Sequence, residues 1–499
     1  MENDTSSLGV LPRVLGISSV GVVCILLMLK LGNRRQYKLP PGPWAWPVVG
    51  NLPQLKGNPG FYYKVLDFRE KYGDIFRLQM GVHNVIFVFG HRYVQELLCN
   101  KGELITKRPN WMYIPDKLLH GKGIVWSFGE SWRTMQANLK SAQEDPIVVS
   151  ALQRHLAAEY EMFQSHAKKC SSHTLEDLIR QVAFNFLSSF LMGKRYSYED
   201  EDMVKIRDKL ADFSRCMATA NCVNFLPFLA TLERAKIKEA EDDQDFVFSQ
   251  FREILQEKSN TSRTGLLSDF FQIYLSKSEN ERSADGMTEI DLLRTTVDMF
   301  VAGTDNLMVS TKWILMALVK YPDVQSKCRS EIIEAVGRDQ RVQSEDRQRT
   351  PYTLATIKEI QRMYSPVTLT PFHCPEQDIT VGGYDIPKDS FIMIDCRAPC
   401  KNGQFWKNPD VFSPDRFLDL NGTQRLPETC FIPYGTGPRY CIGKYIADIF
   451  LYMFTANILQ NFQITTRNPE EQLSFENVFN LFGLHPLHFD KVELKTFDE

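Results

Sequence analysis

Phe431-Ile-Pro-Tyr-Gly-Thr-Gly437-Pro-Arg439-Tyr-Cys441-Ile-Gly443-Lys-Tyr-Ile-Ala447 is the stretch on which the fold and chemistry of this chain turn. Residues 444–460 carry a helical pattern, so Cys441 stands just before a helix N-terminus. The free N–H groups and dipole of such a terminus favour a thiolate and donate to its sulfur. Gly437 and Gly443 let the backbone approach a flat cofactor closely, and Arg439 reaches an anionic group on its edge. A glycine-flanked cysteine by itself is a weak signal, which a packed thiol satisfies equally well.

The composition around that stretch is that of an ordinary globular chain. Of 499 residues, 43% are apolar, 12% aromatic and 24% charged, and 58 basic against 61 acidic side chains give a net charge of −3. A nucleic-acid binder normally shows a basic excess, and a disordered acidic protein would carry few aromatics and a large net charge. Both classes are excluded. Length alone allows roughly three domains. The eleven cysteines are odd in number and irregularly spaced, which argues for free thiols in a reducing compartment. Cys396 and Cys400 lie four apart, but no second pair completes a zinc site.

Val14–Leu29 is an uncharged apolar run between Arg13 and Lys30. It is short for a spanning helix of about 20 residues, and the flanking basic side chains can snorkel. Glu2 and Asp4 precede it; Lys30, Arg34, Arg35 and Lys38 follow it. That asymmetry predicts a single-pass anchor with a lumenal N-terminus and a cytosolic bulk. The basic cluster after the run, with no small-residue cleavage site, disfavours a signal peptide. Leu39-Pro-Pro-Gly-Pro43 then reads as a stiff hinge. No later linker or internal repeat separates further domains, so residues 1–38 are expected to be anchor and basic stop segment, and 39–499 one large domain. The sequon Asn3-Asp-Thr5 falls on the lumenal side of that topology; Asn260 and Asn421 fall on the cytosolic side.

Helical patterns dominate from about 150 to 365. Thr288 with Asp291 forms an acidic variant of the capping box and opens a run that reaches about Lys320, stopped by Pro322. A helix of that length crosses a whole domain. Lys277–Met287 is polar and loop-like. The expected strands are short: Ile75–Met80, Val85–Phe89, Ile379–Tyr384 and Phe391–Ile394. The fold class is mainly α with small β-sheets.

The cysteine stretch resembles the haem-binding signature of the cytochromes P-450, Phe-x-x-Gly-x-Arg-x-Cys-x-Gly-x-x-x-Ala. Tyr434 replaces the first phenylalanine; an aromatic is kept, and its hydroxyl is expected to alter the iron potential. The resemblance runs from about Pro40 to the C-terminus. Glu359-Ile-Gln-Arg362 is similar to the family's Glu-x-x-Arg pair, where i and i+3 share a helix face. Pro414-Asp-Arg416-Phe resembles the segment whose arginine completes that buried network. Ala302-Gly-Thr-Asp305-Asn306 stands where the family has Ala/Gly-Gly-x-Asp/Glu-Thr on its long distal helix. The threonine is missing, and Asn306 offers an amide that donates and accepts hydrogen bonds instead. Ser131-Trp132-Arg133-Thr-Met-Gln136 matches the family's Trp-x-x-x-Arg only at the tryptophan.

The resemblance implies a single haem-enclosing cytochrome P-450 fold, with haem b (iron protoporphyrin IX) held through Cys441 as axial ligand of the iron. A thiolate there pushes electron density toward O–O cleavage. It implies Asp305 and Asn306 as the proton relay, and Arg439, Trp132 and His373 as propionate clamps. It also implies a cavity lined by Phe300, Ala302, Val367, Leu369, Leu481 and Phe482. That apolar lining implies a lipophilic substrate: a steroid, fatty acid or xenobiotic. The hinge, the anchor and the absence of a flavin module resemble the microsomal type of the endoplasmic reticulum membrane. That type takes electrons from NADPH–cytochrome P-450 reductase, which Arg439 and Lys444 would help to dock, with cytochrome b5 a further candidate donor. Residues 379–417 look closest to the branch with steroid hydroxylases and drug-metabolising enzymes. The expected activity is monooxygenation of the substrate. Asn306 leaves two other readings open: a reductase-independent isomerase or dehydratase of an oxygenated lipid, and a haem-binding protein with degenerate catalysis.

Overall fold

A computed structural model describes residues 37–57, 60–168, 174–216, 222–257, 265–267, 288–370, 372–424, 429–468, 473–480 and 483–497. The expected anchor Val14–Leu29, the polar stretch Lys277–Met287, the sequons at Asn3 and Asn260, and Leu481 and Phe482 lie outside them. No helix among the described residues is long and apolar enough to cross a membrane.

The helices of twelve or more residues are α1 Phe61–Tyr72, α2 Gly129–Glu144, α3 Pro146–Lys168, α4 Leu175–Leu187, α5 Glu201–Cys216, α6 Arg234–Glu257, α7 Glu289–Lys320, α8 Pro322–Val336, α9 Pro351–Tyr364 and α10 Lys444–Asn461. The capping box forms as expected: Thr288 accepts from the Asp291 amide and the Asp291 carboxylate accepts from the Thr288 amide, so two orphan donors are satisfied at once. From there α7 runs 32 residues, about 48 Å, until Pro322 opens α8. It packs against α4, α6, α9 and α10. One cluster of buried apolar side chains extends from Leu52 to Val492.

The strands form small sheets. β1 (Ile75–Met80) and β2 (His83–Val88) make a hairpin, and β5 (Phe391–Ile394) adds parallel to β2. The single strand expected over Ile379–Tyr384 is instead a hairpin of β3 (Ile379–Val381) and β4 (Tyr384–Ile386). Gly382 and Gly383 take φ of +57° and +81°, a conformation open to glycine at little cost, and reverse the chain. β6 (Phe462–Thr466) pairs with β9 (Val492–Thr496), and β7 (Asn477–Asn480) with β8 (Gly483–Pro486).

The proline-rich segment is fastened down rather than swinging free. Pro41 O accepts from the Arg77 amide at 2.7 Å and Lys38 O from the Asp385 amide at 2.8 Å. A Cβ on Gly42 would stand 2.0 Å from Arg77 O, so only glycine fits against β1 there.

Candidate active site

The loop before α10 is shaped by backbone constraints. Gly435 and Gly437 both have positive φ, and a Cβ on Gly437 would lie 1.9 Å from Leu98 O. Gln136 Nε2 donates to Pro438 O at 2.6 Å, so α2 pins the loop from the side. Gln136 is the residue that stands where an arginine was expected; it serves the loop. Cys441 presents an exposed surface although protein surrounds it. Burial pushes its thiol up to about 11; the Gly443 amide opposes this, Asp448 adds to it, and the charge and amide of Lys444 oppose it. The helix terminus therefore favours the thiolate as expected, but burial outweighs it. Coordination to a metal would remove that proton.

Tyr434 is more tightly engaged than its aromatic character suggests. Its hydroxyl donates to Asp448 Oδ1 at 2.8 Å and accepts from Gln361 Nε2 at 2.9 Å, while its carbonyl accepts from the Cys441 amide at 2.9 Å. The extra oxygen is thus satisfied behind the cysteine.

Arg439 stacks its guanidinium 3.8 Å from the centre of the Trp132 ring. It donates twice to Thr106 O, at 2.9 and 2.6 Å, and to Ser127 O at 2.6 Å. A longer bond reaches Ile124 O at 3.4 Å. Arg108 lies in the same pocket, donating to Val125 O and Phe372 O, both at 2.8 Å. His373 is 3% exposed, with Nδ1 3.2 Å from Ile105 O. Burial and the charges of Arg108 and Arg439 hold its imidazole neutral, down at about 3. Burial, then repulsion from Arg108 and Arg133, pushes the Arg439 guanidinium far below its ordinary range, with Glu376 opposing. Buried cations bonded to carbonyl oxygens are a site for anions. Arg108 escaped the sequence reading: a Lys-Arg-Pro triplet looks like a solvated turn until the fold sets it beside Arg439.

One short segment ties this pocket to the distal helix. Ile124 O, Val125 O and Ser127 O accept from the arginines, and the Val125 amide donates to Asp298 Oδ2 at 3.0 Å. Asp298 and Arg294, one turn apart on α7, form a buried ion pair at 3.4 Å. Gly123 has φ +81°, and a Cβ there would meet Arg294 Cγ and Asp298 Oδ2 at 2.5 Å.

Midway along α7 the burial pattern breaks. Residues 291–300 and 307–318 are buried, but Ala302 is exposed and Val301 and Gly303–Asn306 are half-buried. A Cβ on Gly303 would press on Leu187 at 2.6 Å, so the helix lies close against α4. Asp305 is half-buried and faces His485 of β8; Asn306 is half-buried next to it. Of the expected cavity residues, Ala302 and half-buried Val367 keep open surface, whereas Phe300 and Leu369 have none. Phe300 packs between Phe184 and Phe251, and Leu369 bridges to Asp395.

The remaining expected group is fully assembled. Arg362 donates to Glu359 through Nε at 2.7 Å and Nη2 at 2.9 Å, both side chains without exposure. Arg416 Nε reaches Glu359 Oε1 at 3.0 Å and the Ser413 amide the same oxygen at 2.9 Å. Arg362 Nη1 holds Cys400 O at 2.9 Å, which ties α9 to the chain leading toward the cysteine loop. No disulfide forms among the described cysteines.

A thiol with open surface, a glycine-shaped loop, a buried cationic pocket and an opened stretch of helix are chemically suited to a flat, dianionic metal macrocycle. The chain matches the family description "Cytochrome P450" over residues 40–490. It belongs to the cytochrome P450 family and is a haem-thiolate monooxygenase with haem b as cofactor. Among its relatives is Cytochrome P450 2H1 of Gallus gallus, 30% identical over 465 residues, 91% of this chain and 92% of the relative. Cytochrome P450 2C16 of Oryctolagus cuniculus is 28% identical over 477 residues, 94% of this chain and 97% of the relative. Cytochrome P450 2B4 of the same organism is 27% identical over 462 residues, with 90% and 92% covered.

Proposed function

We propose that this chain oxidises a lipophilic small molecule at the endoplasmic reticulum membrane, with electrons from NADPH through a reductase. The observation that carries the reading is Cys441, open at the start of α10 beside the Arg439–Arg108 pocket. Haem, when bound, supplies reductive activation of dioxygen at its iron. In this reading Cys441 would be the ligand, and Arg439 and Arg108, with Trp132 and His373 beside them, would hold the anionic edge of the group. Asp305 holds the proton to be delivered to the cavity, and Asn306 orients a hydrogen bond beside it. Ala302 and Val367 face the substrate, Phe300 and Leu369 stiffen the wall from behind, and Leu481 and Phe482 are assigned to the cavity by the sequence match alone. Their apolar character fits a steroid, fatty acid or xenobiotic.

Residues 1–38 are assigned as a single-pass anchor with a lumenal N-terminus, and 39–499 as the cytosolic catalytic domain. An apolar surface supports membrane contact: Trp44, Trp46, Val48, Val82, Phe228 and Leu232 are all exposed. They belong to neighbouring segments, since Trp46 bridges to Gly50, Gly50 to Met80, and Gly81 lies against Phe225 O. Such a patch suits a lipid surface. Lys444 and neighbouring cations would meet an acidic reductase face, with cytochrome b5 as a second donor. The isomerase and degenerate readings rest on Asn306 alone, and no other residue supports them.

The reduced carbonyl complex should show the family's difference band in the wild type and lose it in Cys441→Ala. Reconstitution with reductase should give product only with NADPH and oxygen. A hydroperoxide rearranged with its own oxygen retained, and no product from any lipophilic substrate with reductase, NADPH and oxygen, would overturn this reading of substrate and partner.

A further inference from the structure

A second titratable group sits beside the acid of the distal helix. His485 lies on β8, opposite Val478 of β7. Its Nε2 is 3.5 Å from Asp305 Oδ2, with the imidazole 15% and the carboxylate 41% exposed. The strand that carries it is fixed to α7 and to the residues after α9. Trp313 Nε1 donates to Leu484 O at 2.9 Å, and the Leu484 amide to Pro366 O at 3.0 Å. Gly483 packs so tightly that a Cβ would stand 1.6 Å from Pro366 O. The placement of His485 over Asp305 is therefore set by backbone, not by a wandering surface side chain.

Outward from His485 the charges continue. Lys312, two turns beyond Asp305 on α7, meets Glu176 of α4 at 2.9 Å, and Glu176 also meets Arg180 at 3.2 Å. Glu176 is one-third exposed, so this end opens to water. The charged groups facing His485 are Asp305 and Lys312 from α7 and Glu176 from α4; β7 brings none within Asn477–Asn480. Burial lowers the proton affinity of the imidazole; Asp305 opposes that, Lys312 reinforces it and Glu176 opposes it. Asn306 forms hydrogen bonds but does not titrate, as the threonine it replaces does not, so at this point of α7 the groups able to take up and release a proton are Asp305 and the imidazole that faces it.

We propose that His485 is the positioning partner of Asp305 that returns a proton to its carboxylate from the Glu176 side of α4. The proposal rests on Asp305 being the acid of the proton path. The carboxyl of Asp305 gives its proton toward the cavity, the imidazolium passes its Nε2 proton to the carboxylate, and the freed Nε2 is reprotonated by solvent acid, hydronium or buffer, so that one bulk proton is consumed for each one delivered. No oxidant or reductant enters these transfers.

The test uses the full-length haem-loaded protein with reductase, NADPH and oxygen, reading the share of consumed oxygen released as hydrogen peroxide from about pH 5 to 8, a window that reaches below the ordinary imidazole range. Histidine-selective NMR of the ferric protein reads the His485 titration directly. Wild type should release more peroxide as pH climbs through that titration. His485→Gln should raise the peroxide share several-fold and flatten its pH profile, with the carbonyl band intact. Asp305→Asn should do the same and lower the His485 midpoint, and the double variant should add nothing. If His485→Gln keeps the wild-type profile while Asp305→Asn loses it, the histidine has no part and the Asp305 reading survives. If neither variant changes the peroxide share, the Asp305 reading falls with it. A His485 midpoint unmoved in Asp305→Asn also overturns the pairing.

Discussion

Replacing Arg362 by methionine tests whether the network behind the cysteine loop holds the fold by charge. The side chain is fully buried and makes a two-pronged bond to Glu359, so its loss leaves a buried carboxylate served only by Arg416 and the Ser413 amide. It also strips Cys400 O of its donor. Breaking one side of a buried pair costs about 3–5 kcal/mol, a large share of a typical stability of about 5–15 kcal/mol. With a urea slope of about 3 kcal/mol per M, the midpoint should fall by roughly 1 M or more. The measurement is urea unfolding of the haem-loaded protein, followed by both tryptophan fluorescence and the carbonyl band. Arg416→Met should cost less, because that side chain is 12% exposed and partly solvated. Glu359→Leu with Arg362→Met should cost clearly less than the two singles summed, since the one charge left in the network, Arg416, is partly solvated and still donates to Lys407 O and Val411 O. A single-variant loss below about 1 kcal/mol, or strict additivity in the pair, would refute the argument.

Two further outcomes are expected. Gly437→Ala puts a Cβ 1.9 Å from Leu98 O at a residue with φ +77°, so the loop must shift; haem retention should fall on size exclusion, while Gly403→Ala, with open space around it, should behave as wild type. Glu159 is buried on α3 against Arg195 and Tyr198, and burial carries its carboxyl from 4.5 up to about 7 despite them. The folded state then binds this proton more tightly than the unfolded chain. The associated stability is full below about pH 4.5 and is lost as pH rises through 7, in total about 3 kcal/mol. Glu159→Gln should flatten the fall of Tm between pH 5 and 8; an unchanged slope would remove Glu159 as its cause.

Local chemistry made much of this legible in the chain. Thr288, Asp291 and Pro322 mark the two ends of α7 because caps and prolines act on their own neighbours. Glu359 and Arg362 meet because i and i+3 share a helix face, and Cys441 precedes a long, mostly apolar run, 444–460, with no glycine or proline to break a helix. What was not legible depends on contacts far apart in sequence. Arg108 joins Arg439, and His485 joins Asp305, only after folding. The paired glycines at 382 and 383 turned one expected strand into two. Phe300 and Leu369 show the limit of assigning a wall by position: apolar residues at such sites line a cavity or support its lining, and the rotation of α7 for Phe300, the bridge to Asp395 for Leu369, decides which.

The segment Gly123–Ser127 does its work almost entirely through main-chain atoms. Its carbonyls hold Arg108 and Arg439, its Val125 amide holds Asp298, and even Ser127 Oγ turns inward onto Gly123 O. Alanine substitution at Ile124 or Val125 would read out only the packing of the side chain and leave every one of these main-chain bonds untested. Proline at 125, which deletes the amide, or any side chain at 123 would instead be felt at both ends of the segment, in the packing under α5 and α6 and at the arginines. The side chains of Ile124 and Trp126 meanwhile point into the core, with Trp126 against Phe372, so one five-residue segment fills the interior with its side chains and joins the distal helix to the cationic pocket with its main chain.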